Sequence, residues 1–162
     1  MKKYISILLT IIMAVTCFAP TNTLAADNTD DDFYFTQEEF NSLEHTYAEG
    51  VSPYSTGLII ESTLGIGKNG TSLLISGKTV GSSDVKKCGF TKVVIQRKKS
   101  TESSWSNYKT YTDLYSDSNY YALGKSVTVE KCYQYRVTAR HYAKKSLLST
   151  QKVDSTTGYL TF

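Results

Sequence analysis

A chain of 162 residues, 40% hydrophobic and 20% charged, is sized for one folded domain. Its three cysteines and two histidines form no C-x-x-C or H-x-x-x-H spacing, which excludes the recognised zinc motifs. The net charge of +3 is unevenly spread: residues 26–49 hold Asp27, Asp30, Asp31, Asp32, Glu38, Glu39, Glu44 and Glu49 without one base, whereas residues 50–162 set 16 Lys and Arg against seven acids.

At the N-terminus, Lys2 and Lys3 precede an apolar run from Tyr4 to Ala19 that Pro20 closes. Thr23-Leu24-Ala25 then offers small residues at the positions a signal peptidase reads, with the cut before Ala26. The run is short of the roughly 20 apolar residues that a stable membrane span needs. Residues 1–25 are therefore expected to be a signal peptide, and the remainder a secreted, extracellular protein. Thr16 stands before Cys17 where lipid attachment favours a smaller residue, so that cysteine is not read as a lipid anchor.

Residues 26–53 form an acidic leader, which either solvates the chain or docks as a strip on the basic domain. Within it, Thr36 and Glu39 have the spacing of a capping box, and Phe35 can staple onto Phe40. Phe40, Leu43 and Tyr47 share a helical face, so the pattern predicts a short helix over 37–47 that needs a surface to lie on. Gly50 and Ser52-Pro53 end it.

From Tyr54 the period changes from helical to β. Leu58-Ile59-Ile60 and Leu73-Leu74-Ile75 are apolar runs joined through Gly65, Gly67 and Asn69-Gly70, a hairpin signal. Lys92 to Lys98 reads as a strand, followed by a polar turn over Ser100 to Ser104. Trp105 to Tyr111, Tyr120 to Leu123 and Lys125 to Val129 read as further strands. The clearest is Tyr133 to His141, in which Tyr133, Tyr135, Val137, Ala139 and His141 alternate with Gln134, Arg136, Thr138 and Arg140. Leu147-Leu148 and Gly158 to Phe162 supply the last strands. Seven or eight short strands separated by turns predict an all-β fold, an antiparallel β-sandwich over 54–162.

Val94-Ile95-Gln96-Arg97, Trp105, Tyr135-Arg136-Val137-Thr138-Ala139 and the later Ser146 and Ser149 resemble the second half of a fibronectin type III domain, over about residues 90–150. That resemblance implies an immunoglobulin-like sandwich. As a whole, the exported leader with Ile95-Gln96-Arg97, Trp105, Tyr133-Gln134-Tyr135-Arg136-Val137 and His141 looks like a family of small secreted proteins of Gram-positive Firmicutes, described as a domain of unknown function. This likeness implies export and a β fold and carries no catalytic residues.

Outside the cell, Cys88 and Cys132 are free to form a disulfide, which by loop entropy would contribute roughly 4 kcal/mol. The type III resemblance implies the opposite, since it puts the two cysteines at the starts of neighbouring antiparallel strands, about 20 Å apart at opposite ends of the sheet. It also brings Cys88 near His141, either as nucleophile and base or as a core cysteine beside an edge histidine. Asp30-Asp31-Asp32 lacks the alternate spacing of a calcium loop and reads as solvated acid. No metal or cofactor is expected.

Two features could bind a partner. Lys92, Gln96, Lys98, Arg136 and Arg140 are predicted to share the outward face of two adjacent strands, as a cationic stripe or as ordinary solvated charge. The cluster Tyr108, Tyr111, Tyr115, Tyr120 and Tyr121 offers either amphipathic contact area or core packing, and Tyr108 and Tyr111 are taken with the stripe as a candidate binding face. Partners suited to such a face outside a Gram-positive cell are an anionic wall polymer, a lipid headgroup or a surface protein; no nucleic-acid motif is present. The chain is expected to be a secreted non-catalytic binding or adhesion module of the cell envelope, not an enzyme. The alternative is a secreted antibacterial or toxin-like β-sandwich masked by its acidic leader.

Overall fold

Two-residue alternation dominates the chain beyond Gly57, and it builds a fold that is nearly all strand. The computed structural model describes residues 35–48 and 57–162; the expected signal peptide, its cut before Ala26 and the break at Gly50 and Ser52-Pro53 lie outside the described residues. In chain order the elements are α1 (Gln37–Asn41), β1 (Glu44–Tyr47), β2 (Ile59–Asn69), β3 (Ser72–Gly81), β4 (Lys87–Lys98), β5 (Ser106–Ser116), β6 (Tyr120–Thr128), β7 (Gln134–Ser146), β8 (Ser149–Thr156) and β9 (Leu160–Thr161).

The strands form two antiparallel sheets. The first has the order β1-β2-β3-β6; the second has the order β5-β4-β7-β8, with β9 also pairing β7. Inward-facing Leu64, Ile66, Leu73 and Ile75 of the first sheet meet Val93, Ile95, Tyr135 and Val137 of the second, and all are essentially free of solvent. Each such side chain contributes about 1.5–3 kcal/mol through burial. The expected alternation of β7 is present: Tyr135, Val137, Ala139, His141 and Ala143 are buried, and the residues between them face outward. The all-β, antiparallel sandwich follows from this pattern.

Three expectations are corrected. The helix stops at Asn41 instead of reaching Tyr47, because the chain turns at Ser42 and residues 44–47 become β1 at the edge of the first sheet. The sheet therefore begins inside the leader, and residues 35–48 are docked. The capping box at Thr36 and Glu39 and the Phe35–Phe40 staple are both formed.

Gly65 and Gly67 are not part of a turn; β2 runs through both, and only Gly70, with φ of 59°, sits in the hairpin bend. The two interior glycines clear a bed for aromatic rings. A Cβ on Gly67 would stand 3.1 Å from the Phe40 ring, and one on Gly65 would stand 2.7 Å from the Tyr47 ring. Finally, Leu147 and Leu148 are not strand residues. They form the two-residue turn between β7 and β8, where Ser146 pairs Ser149.

Candidate functional site

The outward face of the second sheet gathers most of the cationic stripe. Pairing of β4 with β7 puts Lys92 opposite Arg140, Gln96 opposite Arg136 and Lys98 opposite Gln134. Further along, Lys87 stands opposite Lys144. Two like-charged pairs thus face each other directly across one strand boundary, an arrangement that is unfavourable for the sheet itself.

Neighbouring groups hold this face in one geometry. Arg140 donates two hydrogen bonds to Asp154 of β8, at 2.6 and 2.9 Å, a bidentate pair that holds the carboxyl of Asp154 below its ordinary range. Arg136 Nε donates to Gln96 Oε1 at 2.9 Å, and Gln96 Nε2 donates to Asn107 Oδ1 at 3.1 Å, a relay across β7, β4 and β5. The Arg136 guanidinium lies 4.5 Å from the centre of the Trp105 ring, with Lys98 Nζ at 5.2 Å and the Tyr159 ring at 6.3 Å. Between these groups runs an open groove of about 680 Å³, lined by Lys92, Gln96, Asn107, Arg140, Lys152 and Asp154 among others. One carboxylate, Asp154, balances Lys92, Arg140 and Lys152 there.

Tyr108 and Tyr111 do not belong to this face. Tyr111 pairs with Val93, whose side chain points into the core, and Tyr111 is itself buried between the sheets beside Lys109 and Lys125. Tyr108 also turns inward, edge-on to the Tyr135 ring at 5.6 Å and beneath Arg97 at 4.8 Å. The strand phase of β5 decides this, because a bulge opposite Ile95 and Gln96 shifts its register. Trp105, Asn107, Lys152 and Asp154 are the members that sequence reasoning missed. The hairpin that returns Trp105 to Lys98 could have flagged the first; the pairing of β8 on β7 is long-range and brings in Lys152 and Asp154.

The two cysteines are free. Cys88 is buried at one end of β4, where it pairs Ala143, and Cys132 precedes Gln134, which pairs Lys98 at the other end. Ten residues of strand separate these points, roughly 30 Å, so no disulfide links them. Cys88 Sγ contacts the Thr79 carbonyl oxygen at 3.5 Å and makes no hydrogen bond to His141. His141 is fully buried instead of lying at an edge: its Nδ1 is 2.8 Å from Thr79 Oγ1 and its Nε2 is 2.9 Å from Ser155 Oγ. Burial pushes its imidazole down to about 4 and burial of the Cys88 thiol pushes that group up, the reverse of a reactive pair.

Among the described residues no three His, Cys, Asp or Glu side chains are grouped to hold a metal ion, and no helix is long and apolar enough to cross a membrane. In comparisons with known proteins, no family model, no curated protein and no solved structure matches the chain.

Proposed function

We propose that the protein is a secreted, non-catalytic binding module of the bacterial cell envelope, which takes an anionic polymer along the outward face of β4 and β7. The observation that carries this reading is the two like-charged cross-strand register pairs, Lys92 opposite Arg140 and Lys87 opposite Lys144. A sheet selected only for stability would place opposite charges there; repeated negative charges on a ligand relieve the repulsion. Trp105 under Arg136 adds an amphipathic platform at one end of the same face. A wall polymer of the poly(glycerol phosphate) type has the matching chemistry, a flexible chain of phosphates able to follow an open groove.

Two features support a fibronectin type III-like scaffold beneath this face: the order β2-β3-β6 set against β5-β4-β7-β8, and the Tyr135 hydroxyl bonded to the backbone five residues upstream, the arrangement of a tyrosine corner. The described part of the leader gives the toxin alternative no support. Residues 35–48 lie on the first sheet, where Glu44 reaches Lys68, and leave the cationic face of the second sheet uncovered.

The test is direct binding of poly(glycerol phosphate) to the purified protein by calorimetry. Affinity should fall steeply with salt, since the Debye length is about 10 Å at 0.1 M and shortens further above it. Replacing Lys92 and Arg136 with alanine should weaken binding by roughly tenfold. No binding at low salt, or binding indifferent to both substitutions, rejects the proposal.

A further inference from the structure

The turn between β7 and β8 breaks two rules at once. A two-residue hairpin loop calls for Asn-Gly, Gly-X or similar residues, which tolerate the backbone twist, and the β2–β3 hairpin obeys with Gly70-Thr71, its glycine at a φ of 59°. The β7–β8 loop is instead Leu147-Leu148, with side chains 87% and 100% exposed, the most exposed large hydrophobic residues described. No positive φ occurs at either residue. Local chemistry so contrary to the fold, with no packing gained, marks a place where something other than stability set the residues.

The surroundings specify what the leucines meet. Lys144 and Lys145 precede them, separated only by Ser146, and Lys87 lies opposite Lys144, with the Lys86 amide bonded to the Lys144 carbonyl. Four lysines therefore ring the tip against two carboxylates, Asp84 paired to Lys145 and Asp117 at 4.0 Å from Lys87. Exposed apolar side chains leading, with cations set one turn behind, match the depth profile of an anionic bilayer surface, where acyl chains lie beneath phosphate headgroups.

We propose that the β7–β8 tip is a membrane-docking site, at which Leu147 and Leu148 enter the headgroup boundary of a bilayer and Lys86, Lys87, Lys144 and Lys145 meet anionic phosphates. Lys87 and Lys144 also belong to the outward face, whereas Leu147 and Leu148 do not, so substituting the leucines tests docking apart from polymer binding, which a bilayer-free assay measures.

The test is flotation with vesicles of phosphatidylcholine containing or lacking phosphatidylglycerol, comparing the protein with the double variant Leu147→Ser, Leu148→Ser. Both positions are solvent-exposed turn residues, so the variant should fold as well as the parent, which its circular dichroism verifies. Binding to the anionic vesicles should fall at least tenfold in the variant. A site-specific reading comes from Leu148→Cys carrying an environment-sensitive thiol dye, in a Cys17→Ser, Cys132→Ser background where buried Cys88 takes no label; its emission should shift to the blue with anionic vesicles. Unchanged flotation of the double variant together with no dye shift overturns the proposal. So does a dye shift that grows with protein concentration without vesicles, which assigns the leucines to contact between two copies of the chain.

Discussion

The imidazole of His141 in β7 sits 2.8 Å from the hydroxyl of Thr79 in β3, a buried polar contact that joins the two sheets. Ser155 of β8 occupies the other ring nitrogen, and the Phe90 ring lies 4.6 Å away. No solvent reaches the ring, so burial disfavours a charged imidazolium. Only Asp154 pulls weakly the other way. The unfolded chain binds a proton near 6.5, whereas the folded chain does so only at about 4. Stability is therefore complete above pH 6.5 and falls as pH drops toward 4, by about 3 kcal/mol in total. The lowered carboxyls of Glu39, Asp84 and Asp154 act in the same direction, but in a lower window, below the ordinary carboxylate range. Denaturant midpoints measured at pH 7, 5.5 and 4.5 should decrease in order, and His141→Gln should flatten that trend. A midpoint constant across this range would contradict a neutral buried His141.

Gly89 in β4 has a φ of 150°, and a Cβ there would drive into the Leu114 carbonyl oxygen and stand 2.9 Å from the Tyr115 Cα. Both obstacles are backbone of the paired strand β5, which cannot yield without breaking the ladder. Gly70, by contrast, has open space around its missing Cβ. Gly89→Ala should cost about 3 kcal/mol or more, while Gly70→Ala should cost only about 1 kcal/mol, the strain of its left-handed backbone. Thermal unfolding of the two variants side by side decides the matter; equal losses would mean that β5 moves aside.

Tyr135 joins a fully buried ring to a polar tip. Its hydroxyl donates to the Glu130 carbonyl oxygen and accepts from the Glu130 amide, both at 3.1 Å, so one side chain satisfies a backbone donor and acceptor in the β6–β7 connection. Tyr135→Phe keeps the ring against Tyr108 and Phe162 and removes those bonds together with the hydroxyl's contact to Arg97. The expected loss is about 1–3 kcal/mol, because the amide and carbonyl are left without this partner in a partly buried place. A loss under about 0.5 kcal/mol would show that water replaces the hydroxyl at no cost.

The two-sided strands were legible because their pattern is local. In β7 every second residue from Tyr135 to Ala143 is buried, and Val93 and Ile95 of β4 point inward in the same way, so the period alone assigns the stripe of Lys92, Gln96, Arg136 and Arg140. What escaped depended on distant partners. Phe40 and Tyr47 are seven apart, which suits two turns of helix; the structure meets the same spacing with a helical turn followed by a strand, and the two rings still come within 5.8 Å. Nothing near them in sequence says that Gly65 and Gly67 will lie underneath. Likewise Tyr111 cannot be assigned to the inward face without knowing the bulge in its pairing with β4. Leu147-Leu148 differs from the strand expectation for another reason: apolar pairs usually mean strand, and here the pair forms an exposed two-residue turn.

The docked leader rests on that glycine bed, and its strength can be measured apart from the rest of the fold. Phe40 is fully buried although it belongs to a five-residue helix with no stability of its own, so its contacts with Gly65, Gly67 and Tyr47 hold residues 35–48 in place. Gly67→Val places a branched side chain where the Phe40 ring now lies, whereas β-branched residues suit the strand itself. The substitution should therefore release the segment without unfolding the sandwich. Phe40→Ala removes the same contact from the other side and should cost roughly 3 kcal/mol locally. Amide exchange provides the reading: Thr46 and Ala48, whose amides lie in this edge, should lose protection in both variants, while Val93 and Val137 in the second sheet stay protected. Loss of protection everywhere would instead make the leader an integral part of the cooperative unit, with β1 as necessary to the first sheet as β3.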